Sequence, residues 1–420
     1  MTSVSPIWRL IRRPQSPLRG FSNDYWLFFL AAFCMDLGFG LFFFLFNLYL
    51  ADLHFDEQFI GRVMACFTMG NVAGTVPAII FVRRHGIRPL LIGTFLCAPV
   101  LCAARLFAVN GPAQLALAVA AGGALCGWPI CFSPAIAKLT NDDNRSLGFS
   151  LAFATGIGLG TVAGFTGGYI PQLLHSAIRA VTIVDGIRIV LLTSCTIVLI
   201  GVLPLAAIQL EHRTPSNGQR MRTIRPVLIR FLPGFILWSA VMGSFAMFGA
   251  LYLQNKLGIP LGKLGIIFSA SQLMQFVAVL LAPLLFRRVR IHKGIAVIQL
   301  GAGALLMLIA ASTYASVGIV FYILYFGVQY MCEPGIYAML MESVPEAERS
   351  TASAIQNFSS AICQACTTAF TGHCIVRFGY ELVLMTNAVA AMAAALIFMS
   401  MGRSSEMSVV PLDQDAAEIP

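Results

Sequence analysis

Two carboxylates stand where charge is costly. Asp36 lies near the middle of residues 25–50, a run otherwise almost wholly apolar, and Glu333 lies in the apolar run 317–341. Either run can cross a hydrocarbon core of ~30 Å at ~1.5 Å per helical residue. A carboxylate at that depth costs roughly 2.5–3.5 kcal/mol on insertion scales, so each is expected to face protein or a watered cavity, not lipid. There a carboxyl group can bind a solute or load and release a proton. The plainer reading is a carboxylate held in one state by hydrogen bonds from its neighbours.

Spacing supports a shared pathway. Asp36, Gly40, Phe43 and Asn47 recur at intervals of four, three and four, which places them on one helix face. Counted from the span ends, Asp36 is ~16 Å and Glu333 ~12 Å from the same membrane surface. Trp128, Trp238, Tyr252, Gln329 and Tyr330 supply further aromatic and amide groups for a cavity wall. Trp26 and Trp238 also suit interfacial anchoring, and Gln272 and Gln275 suit hydrogen bonding between helices. Pro334 follows Glu333, so a kink gives a local reason for a polar residue there. One or two acids among apolar walls suit an amphiphilic organic solute better than a bare inorganic ion.

Other chemistries find little support. The eleven Cys residues lie in or at the edges of apolar runs, so a disulfide framework is not expected. Cys363 and Cys366 are one helical turn apart without a clustered His or acid, which favours helix packing over metal or redox work. No metal or other cofactor is expected, and without a P-loop no ATP drive.

The elements that must hold these residues follow from composition. Of 420 residues, 58% are hydrophobic and 11% charged, with a mean hydropathy of +0.82; soluble domains carry about 25% charged residues. In lipid, backbone groups must pair within the segment, so the expected class is an all-α polytopic membrane protein. The net charge of +9 sits in clusters between apolar runs, which points to membrane topology and away from nucleic acid. The acid-free start with Arg9, Arg12, Arg13 and Arg19 is read as topological charge, and the first apolar run is too long for a cleaved signal.

Twelve spans are expected: 25–50, 58–82, 89–109, 113–137, 147–170, 187–210, 231–253, 264–286, 294–311, 317–341, 351–376 and 382–401. They divide the chain into a basic N-terminus (1–24), a six-helix bundle (25–210), a basic linker (211–230), a second six-helix bundle (231–402) and a polar tail (403–420). Trp128-Pro129 and Pro134 predict a bend in span four. The glycines of span five predict close helix contact. Twenty of the 27 Lys and Arg residues fall on the side of the membrane that carries the termini and linker, which places both termini in the cytoplasm and the chain in a plasma or inner membrane.

The halves echo each other. Phe81 before an Arg pair corresponds to Phe286 before Arg287-Arg288 at a shift of 205, and Asp142-Asp143-Asn144-Arg145-Ser146 corresponds to Glu346-Ala347-Glu348-Arg349-Ser350 at a shift of 204. Two nearly equal offsets point to a duplicated six-helix unit. The connectors also suggest a cytoplasmic gate, in which Arg83, Arg84 and Arg88 pair with Asp142, Asp143 or Glu346, near Arg145 and Arg349. Exposed pairs contribute about 0–1 kcal/mol each, enough to tilt a balanced equilibrium. Solvated charges serving only topology are the alternative.

Six plus six spans, a basic central linker, an Arg-rich connector after spans two and eight and an acid-x-x-Arg connector after spans four and ten resemble the major facilitator superfamily. In the family's G-x-x-x-D-R-x-G-R-R loop, Arg84, Gly86 and Arg88 fit, while Arg83 stands where the acid is expected. Gly164, Gly167 and Gly168 resemble part of the antiporter motif without its Gly-Pro step, and span four lacks the family's frequent buried Arg. The resemblance implies a cavity lined by spans one, four, seven and ten that opens alternately to either side. The expected function is secondary active transport of a small organic solute, proton-coupled, by a monomer. An uncoupled facilitator is the nearest alternative. A polytopic enzyme acting on lipid would need clustered catalytic groups, whereas the six His residues are scattered; a receptor without flux is the third reading.

Overall fold

In the computed structural model, which describes residues 21–108, 110–141, 145–178, 180–208, 226–343 and 349–407, the regular elements are all helical among the described residues. They are α1 (Asn23–Asp52), α2 (Glu57–His85), α3 (Ile87–Arg105), α4 (Gly111–Leu125), α5 (Gly127–Leu139), α6 (Arg145–Ala177), α7 (Ile183–Ile200) and α8 (Val202–Ala207) in the first half of the chain. The second half contributes α9 (Pro226–Gly243), α10 (Phe245–Leu251), a π-helical turn (Tyr252–Lys256), α11 (Leu261–Arg288), α12 (Ile291–Ala311), α13 (Ala315–Ser343) and α14 (Arg349–Met407). Most of the expected N-terminal segment, linker and tail lies outside the described residues.

Local chemistry sets the helix ends. Ser22, Asp56 and Asn110 turn their side chains onto the backbone N–H groups of Tyr25, Phe59 and Ala113, and Thr182 with Asp185 forms a reciprocal cap at α7. Gly86, at φ 90°, ends α2 and begins α3, which turns the chain within a single residue. Pro129 cannot bond the carbonyl of Leu125, and the helix accordingly breaks between α4 and α5 at Cys126.

Among the described residues, ten helices are long and apolar enough to cross a membrane. The last, Ile355–Met401, bends at Gly379 (φ 80°), and the 33-residue α6 is a further long helix not among the ten. Large apolar side chains such as Leu203, Phe370 and Leu396 face outward, as lipid-facing positions require.

The two halves of the chain meet along two seams, α2 against α14 and α6 against α11. The α6–α11 seam is glycine-lined: a methyl group on Gly168 would stand 2.8 Å from the Cα of Gly265. Among the described residues, the hydrogen bonds between halves lie at mid-depth or at one end of the bundle. Asn47 donates to the Met247 carbonyl (3.1 Å), Gln254 to Asp52 (3.4 Å), Asn255 and Tyr380 to Glu57 (2.9 and 3.1 Å), and Ser269 to the Thr161 carbonyl (2.6 Å). This sealed end carries residues 52–57 and 254–261. The opposite, basic end carries Arg84, Arg88, Lys138, Arg288 and Arg290.

Candidate functional site

Asp36 opens onto a cavity of about 370 Å³ walled by α1, α5 and α6, with Trp128, Pro129, Phe132, Ala152, Gly156 and Ile157 as its other lining residues. The carboxylate lies against the bare backbone of Gly156, where a methyl group would stand 3.0 Å from Oδ2. No hydrogen bond or ion pair to Asp36 forms among the described residues. One helical turn further along α6, Gly160 packs on the side-chain amide of Gln272 from α11. The cavity therefore begins about one turn, ~6 Å, on the basic side of that contact between halves.

The break before α5 positions the aromatic wall. Trp128 stacks on Phe28 (5.9 Å between centroids) and meets Phe95 and Phe132 at 5.6 and 5.1 Å. Three rings fix the indole beside a carboxylate. Such a site can attract positive charge and shelter an apolar body, and it can exchange a proton with water reaching the cavity.

Glu333 occupies a different setting. It is half-buried on α13, beside the indole of Trp238 on α9, yet the two do not reach hydrogen-bonding geometry and Trp238 Nε1 is left without a partner. One turn away on each helix, Gln329 Nε2 donates to Met242 Sδ (2.7 Å), while Gln329 Oε1 is unpartnered. Trp238–Glu333 and Met242–Gln329 are thus two rungs of a polar ladder between antiparallel helices. Trp238 is 1% and Gln329 0% exposed, whereas Glu333, like Asp36, is half-buried; Glu333 is not among the residues that line the Asp36 cavity. Trp128-Pro129 and Glu333-Pro334 are also 205 positions apart, the interval that relates Phe81 to Phe286.

The other expected cavity residues fall elsewhere. Asn47 is buried in the seal through its bond to Met247. Tyr252 is buried in the π-helical turn, edge-on to Tyr380 and Phe245 at 5.5 Å each. Tyr330 is 39% exposed. Of the expected gate, Arg84 is exposed and Arg88 donates to the Ala206 carbonyl. Asp142, Asp143 and Glu346, and the side chains of Arg83, Arg145 and Arg349, lie outside the described residues.

Arg105 gains a role that its position in the sequence did not suggest. It is 1% exposed, with its guanidinium 4.1 Å from the Phe46 ring centre and near Phe42 and Phe67, and its Nε and Nη2 have no hydrogen-bond partner. An aromatic cage offsets part of the cost of a buried cation. The signal available in the sequence was a single Arg inside an apolar run.

A sequence model of the Major Facilitator Superfamily matches residues 28–366. No curated protein sequence matches the chain. Among solved structures, the nucleoside transporter NupG is 15% identical, with 91% of this chain and 100% of that one covered at a TM-score of 0.74. A bacterial homolog of the human lysosomal transporter Spinster, in an inward-facing and occupied conformation, is 12% identical over 96% and 100% at 0.73. A D-xylose–proton symporter is 13% identical over 89% and 96% at 0.71. At these identities the likeness is one of fold.

Proposed function

The chain belongs to the major facilitator superfamily, and from that premise we propose that it is a proton-coupled secondary transporter of a small organic solute. Asp36 is the carboxylate on which proton and solute meet. The observation that carries this reading is an acid at mid-membrane, open to a 370 Å³ cavity and without a partner among the described residues. A carboxylate needed only for structure would be held by donors. The similarity in fold to a D-xylose–proton symporter agrees with this reading.

The proposed architecture is twelve spans in two bundles of six. Splitting the last candidate span at Gly379 and adding α6 to the ten candidates reaches that count. The basic end faces the cytoplasm, with both termini, because cytoplasmic loops concentrate Lys and Arg. The state described is then closed to the outside, and transport requires the seal from Asn47 to Tyr380 to part while the basic end closes. Arg83, Arg84 and Arg88 remain our proposed elements of that second closure, with Asp142, Asp143, Arg145, Glu346 and Arg349 opposite. The protein acts as a monomer in this reading.

The test begins with a thermal-shift panel of drugs, sugars, amino acids and siderophore-like metabolites on the purified protein. Each stabilising solute is then added to proteoliposomes containing a pH-sensitive dye. Wild type is expected to couple solute entry to a change of lumenal pH, and Asp36→Asn is not. Solute entry with no pH change would leave an uncoupled facilitator in place of this proposal.

A further inference from the structure

We propose that the solute class of the Asp36 cavity is an amphiphilic organic cation, whose charge seats on Asp36 and whose apolar body lies against Trp128 and Phe132. This rests on the reading of that cavity as the transport site and adds what enters it.

Elimination carries the argument. Among the lining residues, the only side-chain hydrogen-bonding groups are the Asp36 carboxylate and the Trp128 indole N–H; Pro129, Phe132, Ala152, Gly156 and Ile157 supply none. A sugar or another polyhydroxylated solute would shed water from many hydroxyl groups and find few partners there. An organic anion would meet a carboxylate, with no cation among the lining residues to offset it. A bare divalent ion needs about six oxygen ligands or more, against one carboxylate.

The positive features then agree with one another. An ionised carboxylate has room for roughly four hydrogen bonds, and none is filled by the described residues. The Trp128 and Phe132 rings, 5.1 Å apart, offer faces that attract positive charge as well as apolar area. The volume of about 370 Å³ falls within the roughly 300–1,000 Å³ of small-molecule pockets. Arg105 provides an internal contrast. Among the described residues, the first half buries one cation of its own, Arg105, in an aromatic cage of Phe42, Phe46 and Phe67, and offers its mid-span carboxylate no partner.

The test uses the full-length protein in nanodiscs and two probes, trimethyl(naphthylmethyl)ammonium and its uncharged carbon isostere, with affinities measured by equilibrium dialysis. Wild type is expected to bind the cation at least ~10-fold more tightly than the isostere. Asp36→Asn should erase that preference and leave isostere affinity unchanged, which also reports that the variant is folded. Gly156→Ala, whose methyl would press on the carboxylate, should weaken the cation several-fold and spare the isostere; Glu333→Gln should preserve the preference. Equal binding of both probes to wild type, failure of the cation to bind at millimolar concentration, or full cation preference in Asp36→Asn overturns the proposal. Because these measurements use no pH gradient, a protein that prefers the cation but moves solute without protons would sink the coupling and spare this inference.

Discussion

Asp36 with Trp128 and Glu333 with Trp238 are two versions of one arrangement, an acid and a tryptophan inside candidate membrane spans. In the first half the acid is on α1 and the indole on α5; in the second the indole is on α9 and the acid on α13. Trp128 and Glu333 share a following proline and the 205-residue interval, so the second half has an acid where the first has an indole. What fills the space differs more than the chemistry does. Gly156 leaves Asp36 a cavity, whereas beside the second pair Gln329 bonds to Met242 across the two helices.

The largest effect should come from neutralising each acid in turn. Asp36→Asn is expected to lower proton-coupled uptake by about 100-fold or more, since the lost interaction is that of a charged group in a low-dielectric site. Glu333→Gln should cost less than about tenfold in the same assay. Equal losses would erase the distinction between cavity and ladder.

Changing the two indoles should separate affinity from stability. Trp128→Leu is expected to weaken solute binding about tenfold with little change in melting temperature, the scale of a desolvated cation–π contact. Trp238→Leu should leave affinity nearly unchanged and destabilise the second half by roughly 2–4 kcal/mol in denaturant titration, as large-to-small changes in packed cores do. The reverse pattern would move the solute to the ladder.

The smallest effect sharpens the contrast. Gln329→Met replaces a buried amide whose Oε1 is unpartnered by an apolar group of similar length. Unfolding free energy should stay level or rise by about 1 kcal/mol, because removing an unsatisfied buried polar group recovers its desolvation cost. A loss above ~2 kcal/mol would mean that the Gln329 contact with Met242 matters more than the open oxygen.

Much of this was legible in the residues. Uninterrupted apolar runs can be nothing but helices in lipid, and a lone Asp36 in such a run already singles out a candidate site residue. Trp128-Pro129 announced the break that aims the aromatic wall. Asn47 and Tyr252, in contrast, share the helix faces and residue types of cavity groups and are buried in the seal and the π-helical turn. A helical face says which residues point the same way, not what stands opposite them. Arg105 is the converse case, a single cation with no sequence partner that the fold places among three rings.

Apolar runs, composition and charge clusters determined from sequence that this protein is a polytopic helical membrane protein with acids inside its apolar runs. Which acid opens onto a cavity was decided by tertiary contacts alone. It depends on Gly156 facing Asp36 and on Gln272 closing over Gly160 one turn away, and contact across helices distant in the chain leaves no local trace in residue order.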